Sequence, residues 1–382
     1  MRKPNSLLYF ILAVVLPLMH GACKKDTALP QLSKTTLKAV GPTFADIQGR
    51  VYVEGSSAII QRGACWEMKT SAGDSKVVQF PTIQADTMHA EGGTGLINLR
   101  VTGLQPDTAY YVRFFAINGD GVQYSYPVLA RTPPIPAGGV FVEGFLIGQT
   151  FSMGSLVGAP DETPVHEVTL PNYFIATHEV TNTQYCKFLN KLDSAGQISP
   201  EGAVGNLEYI DMDDEDVLIV YDNNAFRPKT GFEDYPAVEV SWYGAKAYCN
   251  LFGYTLPSEA SWEFAARGGL LTNKYIYAGS DNAADVAWYN SNAGDQLHPV
   301  GQKQANELGV YDMTGNVWEW CEDWYGADYY ANSGIDNPTG PSSGEHKVLR
   351  GGSFAEEAFS STKRYSVSPD ATEANIGFRV RY

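Results

Sequence analysis

The sequence predicts an all-β sandwich followed by an irregular α+β domain, and three observations carry that division. Apolar residues alternate with polar ones across residues 31–133, whereas capped segments with helical periodicity occur only after residue 180. Six of the seven tryptophans, Trp242, Trp262, Trp288, Trp318, Trp320 and Trp324, fall in the second part, which therefore has an aromatic core of its own. Between the two parts runs RTPPIPAGG, where consecutive prolines favour extended backbone and glycines end it. The domains expected are residues 31–133 and 140–382, joined by a linker at 134–139.

Length and charge agree with two domains. The chain has 382 residues, and domains commonly hold about 100–200. With 43 Asp and Glu against 27 Lys and Arg, the formal charge is −16. No basic run interrupts this acidity, so a nucleic-acid partner is not expected.

In the first part, Ala45, Ile47, Gly49, Val51 and Val53 alternate with their neighbours and give one strand a buried face. Tyr110, Val112, Phe114 and Ala116 do the same in a second strand. Leu104, Pro106, Thr108 and Tyr110 stand at the spacing of a tyrosine corner, in which a phenol pins a connection between two sheets. With about seven short strands expected, this part resembles a fibronectin type III domain, which implies a spacer or binding module. Cys65 and Trp66 are read as core.

In the second part, Thr181 and Gln184 form a capping box ahead of a helix whose stripe is Tyr185, Phe188, Leu189 and Leu192. Ser241 opens a second helix, with Trp242, Ala245, Cys249 and Phe252 facing inward and Gly253 ending it. Ser258 and Gly268 bracket a third. Loops and short strands make up most of the remainder.

The N-terminus carries Arg2 and Lys3, an apolar run over residues 7–18, and then Gly21, Ala22 and Cys23. Twelve apolar residues are too few to span a bilayer, so residues 1–22 read as a signal peptide. The Gly-Ala-Cys ending resembles a bacterial lipobox. That resemblance implies diacylated Cys23 as mature N-terminus, a membrane anchor, and an outer-membrane lipoprotein facing the periplasm or the surface. Loss of Arg2 and Lys3 would take the charge to −18. The other cysteines, Cys65, Cys186, Cys249 and Cys321, show no Cys-x-x-Cys or zinc-like spacing and are read as buried thiols.

The segments PVHEVTLPNYFIATHEVTNTQY, YPAVEVSWYGAKAYC, LPSEASWEFAARGG, HPVGQKQANELGVYDMTGNVWEWCEDWY, LRGGSF and NIGFRVRY occur in the order found in the formylglycine-generating enzyme, or sulfatase-modifying factor, family. The resemblance covers residues 140–382 and implies an irregular C-type-lectin-like fold. It also implies an oxidase that converts a cysteine in a Cys-x-Pro-x-Arg segment to formylglycine, using copper and oxygen. Copper(I) is soft and is held there by two cysteine thiolates. Their positions after Gly351-Gly352-Ser353 are Glu356 and Ser361 here, and no cysteine follows Cys321. Copper is therefore not expected, and the site is read as a binding groove at Trp318, Ser353, Glu356 and Ser361 for an envelope protein, peptide or glycan, with no catalytic residue assigned. A divergent oxidase acting through other residues is the competing reading.

Iron is not expected either, because His89, His166, His178, His298 and His346 are dispersed. The resemblance implies a calcium site instead, with side-chain oxygens of Asp312 and Glu319 and backbone carbonyls of Gly315 and Val317. The alternative is that Glu319 pairs with an arginine such as Arg350 or Arg379. Residues 211–216, DMDDED, fail the EF-hand pattern at Asp216 and Asp222 and are read as a solvated acidic loop.

Overall fold

The computed structural model describes residues 27–69, 80–144 and 149–382. The expected signal peptide and Cys23 lie outside the described residues. The chain divides into two compact units, the first from the described parts of Met1–Ala39, Ala45–Val101 and Ala109–Ala130, the second from Val40–Phe44, Thr102–Thr108 and Arg131–Tyr382.

Among the described residues, nine strands build the first part: β1 (Gln31–Leu32), β2 (Thr36–Val40), β3 (Phe44–Val53), β4 (Gln61–Met68), β5 (Asp86–Ala90), β6 (Gly95–Thr102), β7 (Ala109–Asn118), β8 (Gly121–Tyr124) and β9 (Val128–Arg131). One sheet runs β1-β3-β2 with β6 also on β3, and the other runs β5-β4-β7-β8 with β9 also on β7. The β4–β7 pair is antiparallel from Gln61 opposite Ile117 to Met68 opposite Tyr110. This register puts Val112, Phe114 and Ala116 on the buried face. Gly49 of β3 meets the ring of Phe114 so closely that a Cβ there would collide with it, which places the two sheets face to face. The alternation of β3 holds at Ala45, Ile47, Gly49 and Val51 but ends before Val53, which is exposed at the strand's end. Cys65 and Trp66 are buried.

In the second unit, short hairpins surround the helices. Strands β10 (Gly139–Val142) and β13 (Tyr173–Ala176) pair, as do β11 (Phe151–Met153) and β12 (His166–Val168). Helix α1 (Asn182–Ser194) begins at Thr181 with the expected capping box. Hairpins β14 (Ala203–Val204) with β15 (Leu207–Glu208), and β16 (Ile219–Asp222) with β17 (Ala225–Pro228), follow. Helix α2 (Trp242–Phe252) is capped by Ser241 and ends at Gly253 with φ +76°. Helix α3 (Glu259–Ala266) is capped by Ser258, and a four-residue helix α4 (Ala283–Val286), absent from the sequence expectation, comes next. The last strands, β18 (Trp318–Trp324), β19 (Lys347–Arg350), β20 (Arg364–Val367) and β21 (Ile376–Gly377), form one sheet in the order β20-β19-β18-β21.

Tyr185, Phe188 and Leu189 of α1 are buried, and Leu192 packs at the edge of the same cluster. On α2 the buried positions are Gly244, Ala245, Tyr248 and Cys249, while Trp242 and Phe252 are only half-buried. The face has turned because Gly244 packs against the carbonyl of Tyr209, where any side chain would collide. Phe188 sits among the rings of Tyr185, Tyr209 and Tyr248. Phe188→Ala is expected to cost about 3–5 kcal/mol of stability, read as a lowered urea midpoint of the second unit.

Candidate functional site

The site rests on the β18–β19–β21 sheet. Glu319 stands opposite Arg350 across the antiparallel β18–β19 pair, and Trp318 opposite Ile376 in the parallel β18–β21 pair. The Trp318 N–H donates to the Asn375 carbonyl at 2.8 Å. After β19 the chain turns through Gly351 and Gly352, at φ +101° and +80°, a conformation that L side chains rarely adopt. This turn leads into Ser353, which meets Trp318 through the carboxylate of Glu356.

Three of the four predicted groove residues meet there. Trp318 Nε1 donates to Glu356 Oε1 at 3.2 Å, and Ser353 donates to the other oxygen of Glu356. Asn375, which sequence reasoning missed although it lies in NIGFRVRY, donates to Ser353 Oγ at 3.2 Å and to Glu356 Oε1 at 3.4 Å. The Trp318 ring lies between Phe359 and Tyr365, at 5.6 and 5.2 Å between centroids. Trp318 and Ser353 are buried, Glu356 half-buried. Ser361 has a different setting: its N–H donates to the Ile276 carbonyl and its own carbonyl accepts from Arg350, while its buried hydroxyl has no partner among the described residues.

Beneath this network lie arginine–carboxylate pairs. Arg379 holds both oxygens of Glu319 at 2.6 Å, and Trp262 Nε1 adds a bond to Glu319 at 2.7 Å. Arg350 pairs with Glu263 at 2.6 Å and also donates to the carbonyls of Ser361, Thr362 and Lys363, fastening the turn that carries Ser361 ahead of β20. Arg364 grips Glu259 with bonds of 2.6 and 2.9 Å. Burial opposes the charge on Arg379, but Glu319 outweighs it and holds the guanidinium above its ordinary pKa.

The predicted calcium ligands are split by this arrangement. Both oxygens of Glu319 are taken by Arg379, one of the two pairings anticipated as the alternative to calcium. Asp312 accepts a 2.6 Å bond from the Gly301 N–H through Oδ2, and its Oδ1 has no partner among the described donors. Glu179, whose Oε1 accepts from Asn316, likewise leaves Oε2 unpartnered. Burial, followed by repulsion from Asp312, raises Glu179 well above the usual carboxylate range, and burial raises Asp312 as well. Asp312 opposes the charge on Glu179, and a proton or a cation on the pair relieves that repulsion. The open donors thus fit a hard cation through Asp312 and Glu179, with Glu319 available only if it exchanges a bond to Arg379. Among the described residues, no three His, Cys, Asp or Glu side chains are gathered for a metal.

The four described cysteines are free and buried. Burial pushes Cys186 and Cys249 up to about 12 and Cys321 well above the ordinary thiol value, so none offers a thiolate near neutral pH.

Comparison with known proteins places this geometry. A family profile described as the sulfatase-modifying factor enzyme 1-like domain matches residues 138–381. The chain belongs to that family. The formylglycine-generating enzyme of Streptomyces coelicolor is 33% identical over 276 residues, covering 61% of this chain and 87% of that protein. A serine/threonine-protein kinase Pkn1 of Chlamydia trachomatis is 37% identical over 239 residues, 62% of this chain, which spans only 37% of that relative's length. Among solved structures, that of PvdO from Pseudomonas aeruginosa aligns with a TM-score of 0.48 at 25% identity, covering 64% of this chain and 93% of that one.

Two expectations follow from the buried charges. Arg379→Met leaves Glu319 without its partner and is expected to cost about 3–5 kcal/mol in chemical denaturation. Asp323 is buried, and burial, then Glu259, pushes its carboxyl up to about 8. The folded protein therefore keeps a proton that the unfolded chain releases near pH 3.9, and this contribution is lost as pH rises through about 8. Asp323→Asn is expected to flatten the decline in stability between about pH 5 and 8, measured by denaturation across that range.

Proposed function

We propose that this chain is a noncatalytic, lipid-anchored envelope protein in which the family's site has become a binding groove. The observation that supports this is Glu356. It stands where the resemblance puts one copper-binding cysteine, and it is tied to Trp318, Ser353 and Asn375 as a hydrogen-bonding carboxylate. A carboxylate and the hydroxyl of Ser361 are hard donors poorly suited to copper(I). The four described cysteines are buried thiols at other positions, so among the described residues no soft ligand stands beside Glu356. An indole floor with a carboxylate, a hydroxyl and an amide at its rim suits a peptide, envelope protein or glycan that brings hydrogen-bond donors to Glu356. The nine-stranded first unit is proposed as a fibronectin type III-like spacer that carries a C-type-lectin-like domain away from the membrane anchor at Cys23. Calcium is proposed at the Asp312 site, where it would neutralise the Asp312 and Glu179 carboxyls and pin the loop before β18.

In an aerobic assay with copper and a Cys-x-Pro-x-Arg peptide, no formylglycine is expected by mass spectrometry; conversion would establish the divergent oxidase instead. For the calcium reading, Asp312→Asn is the informative variant because it leaves Glu319 on Arg379. Calcium is expected to raise the parent's melting temperature by more than that of Asp312→Asn, and equal shifts in the two would contradict calcium at Asp312.

A further inference from the structure

The acidic segment at 211–216 lies over a residue whose setting has no structural advantage. Asp213, Asp214, Glu215 and Asp216 are exposed, as the sequence anticipates. Under them is Glu239, only 2% exposed, with its backbone at φ +55°, in the left-handed region that favours glycine and asparagine. The Glu239 N–H donates to the Glu373 carbonyl at 3.2 Å, and its carbonyl accepts from the Asp211 N–H at 2.9 Å. The acidic segment is thereby fastened directly to Glu239.

The Glu239 carboxyl has a buried oxygen, Oε2, without a partner. The charges that face it are Asp214, Asp211, Asp216 and Glu373, all of the same sign. None of these carboxylates forms an ion pair among the described residues, and Lys229 reaches only the backbone carbonyl of Glu215, at 3.4 Å. Burial and this repulsion push the Glu239 acid up to about 8. The residue is buried on left-handed backbone among like charges, with one carboxyl oxygen lacking a partner among the described residues, and a bound cation relieves that oxygen and the repulsion together.

We propose that Glu239, Asp211, Asp214 and Asp216 form a calcium site separate from Asp312. All the donors are hard oxygens, with no imidazole or thiolate, which favours calcium over zinc or copper. Asp211 Oδ1 accepts from the N–H groups of Asp213 and Asp214, and Asp214 Oδ1 from that of Asp216. Each of these carboxylates has a second oxygen for the ion. Among the described residues no three of these side chains are already gathered around one point, so the proposed site requires the exposed loop to move onto Glu239 when calcium binds, which calcium's tolerance of variable geometry permits.

Calorimetric titration of the purified chain with calcium chloride tests the site, using Glu239→Gln, the loop variant Asp214→Asn/Asp216→Asn, and Asp312→Asn. The expected result is a binding step that Asp312→Asn retains and that both other variants lose or weaken at least about tenfold. Circular dichroism checks each fold, and if Glu239→Gln fails to fold, the exposed-loop variant alone decides. Absence of a calcium step that survives Asp312→Asn, or an unchanged step in the loop variant, would overturn the proposal. Failure of the Asp312 site would instead appear as a titration unaltered by Asp312→Asn.

Discussion

The bidentate pair between Arg379 and Glu319 is the contact on which the second unit depends. Its strands are two to seven residues long, too short for sheet ladders alone to organise so much loop. Arg379 joins β18 to the chain's last strand-like segment, and its remaining donors reach the carbonyls of Ala176 and Tyr311, where no ladder satisfies them. Arg350 and Arg364 repeat the device around Glu263 and Glu259. Such buried pairs add little net stability over a well-packed apolar core, but losing one partner leaves a buried charge uncompensated. Their contribution is positional: a guanidinium with five donors fixes several loops in one arrangement.

The cluster of Trp318, Ser353 and Glu356 inherits that rigidity. Trp318 is adjacent to Glu319, so the pair that anchors β18 also sets the indole under Ser353 and Glu356. Arg350 holds the carbonyls of Ser361 to Lys363 and thus the far end of the same loop. On the function proposed above, what would distinguish this chain from a copper-using enzyme is the chemistry of two side chains, Glu356 and Ser361. A carboxylate already satisfied by an indole, a hydroxyl and an amide can receive a ligand's donors, but it supplies no thiol for ligand exchange.

The helices were legible because their signals are local. Thr181 with Gln184, Ser241 with Gly253, and Ser258 each act within a turn or two of the helix they bound. The alternation in β3 and β7 likewise reports burial within a single strand. The pairs that build the site were not legible in that way, since Glu319 and Arg379 are separated by 60 residues and Glu263 and Arg350 by 87. Resemblance located Trp318, Ser353 and Glu356, but nothing in the spacing indicated Asn375 or the buried carboxyl of Glu179 whose charge Asp312 opposes. Glu239 shows the same limit. Its left-handed backbone and buried oxygen arise from the Asp211 and Glu373 contacts, neither of which leaves a mark in its own neighbourhood of sequence.

The central claim is that the family's scaffold persists here while its soft ligands do not, and restoring the ligands tests it most directly. Competitive copper(I) titration of the parent and of the Glu356→Cys/Ser361→Cys variant reads the outcome. The account predicts that the parent binds no copper(I) tightly and that the double variant gains one tightly bound ion per chain. Tight stoichiometric copper in the parent, or a folded double variant that gains none, would contradict it.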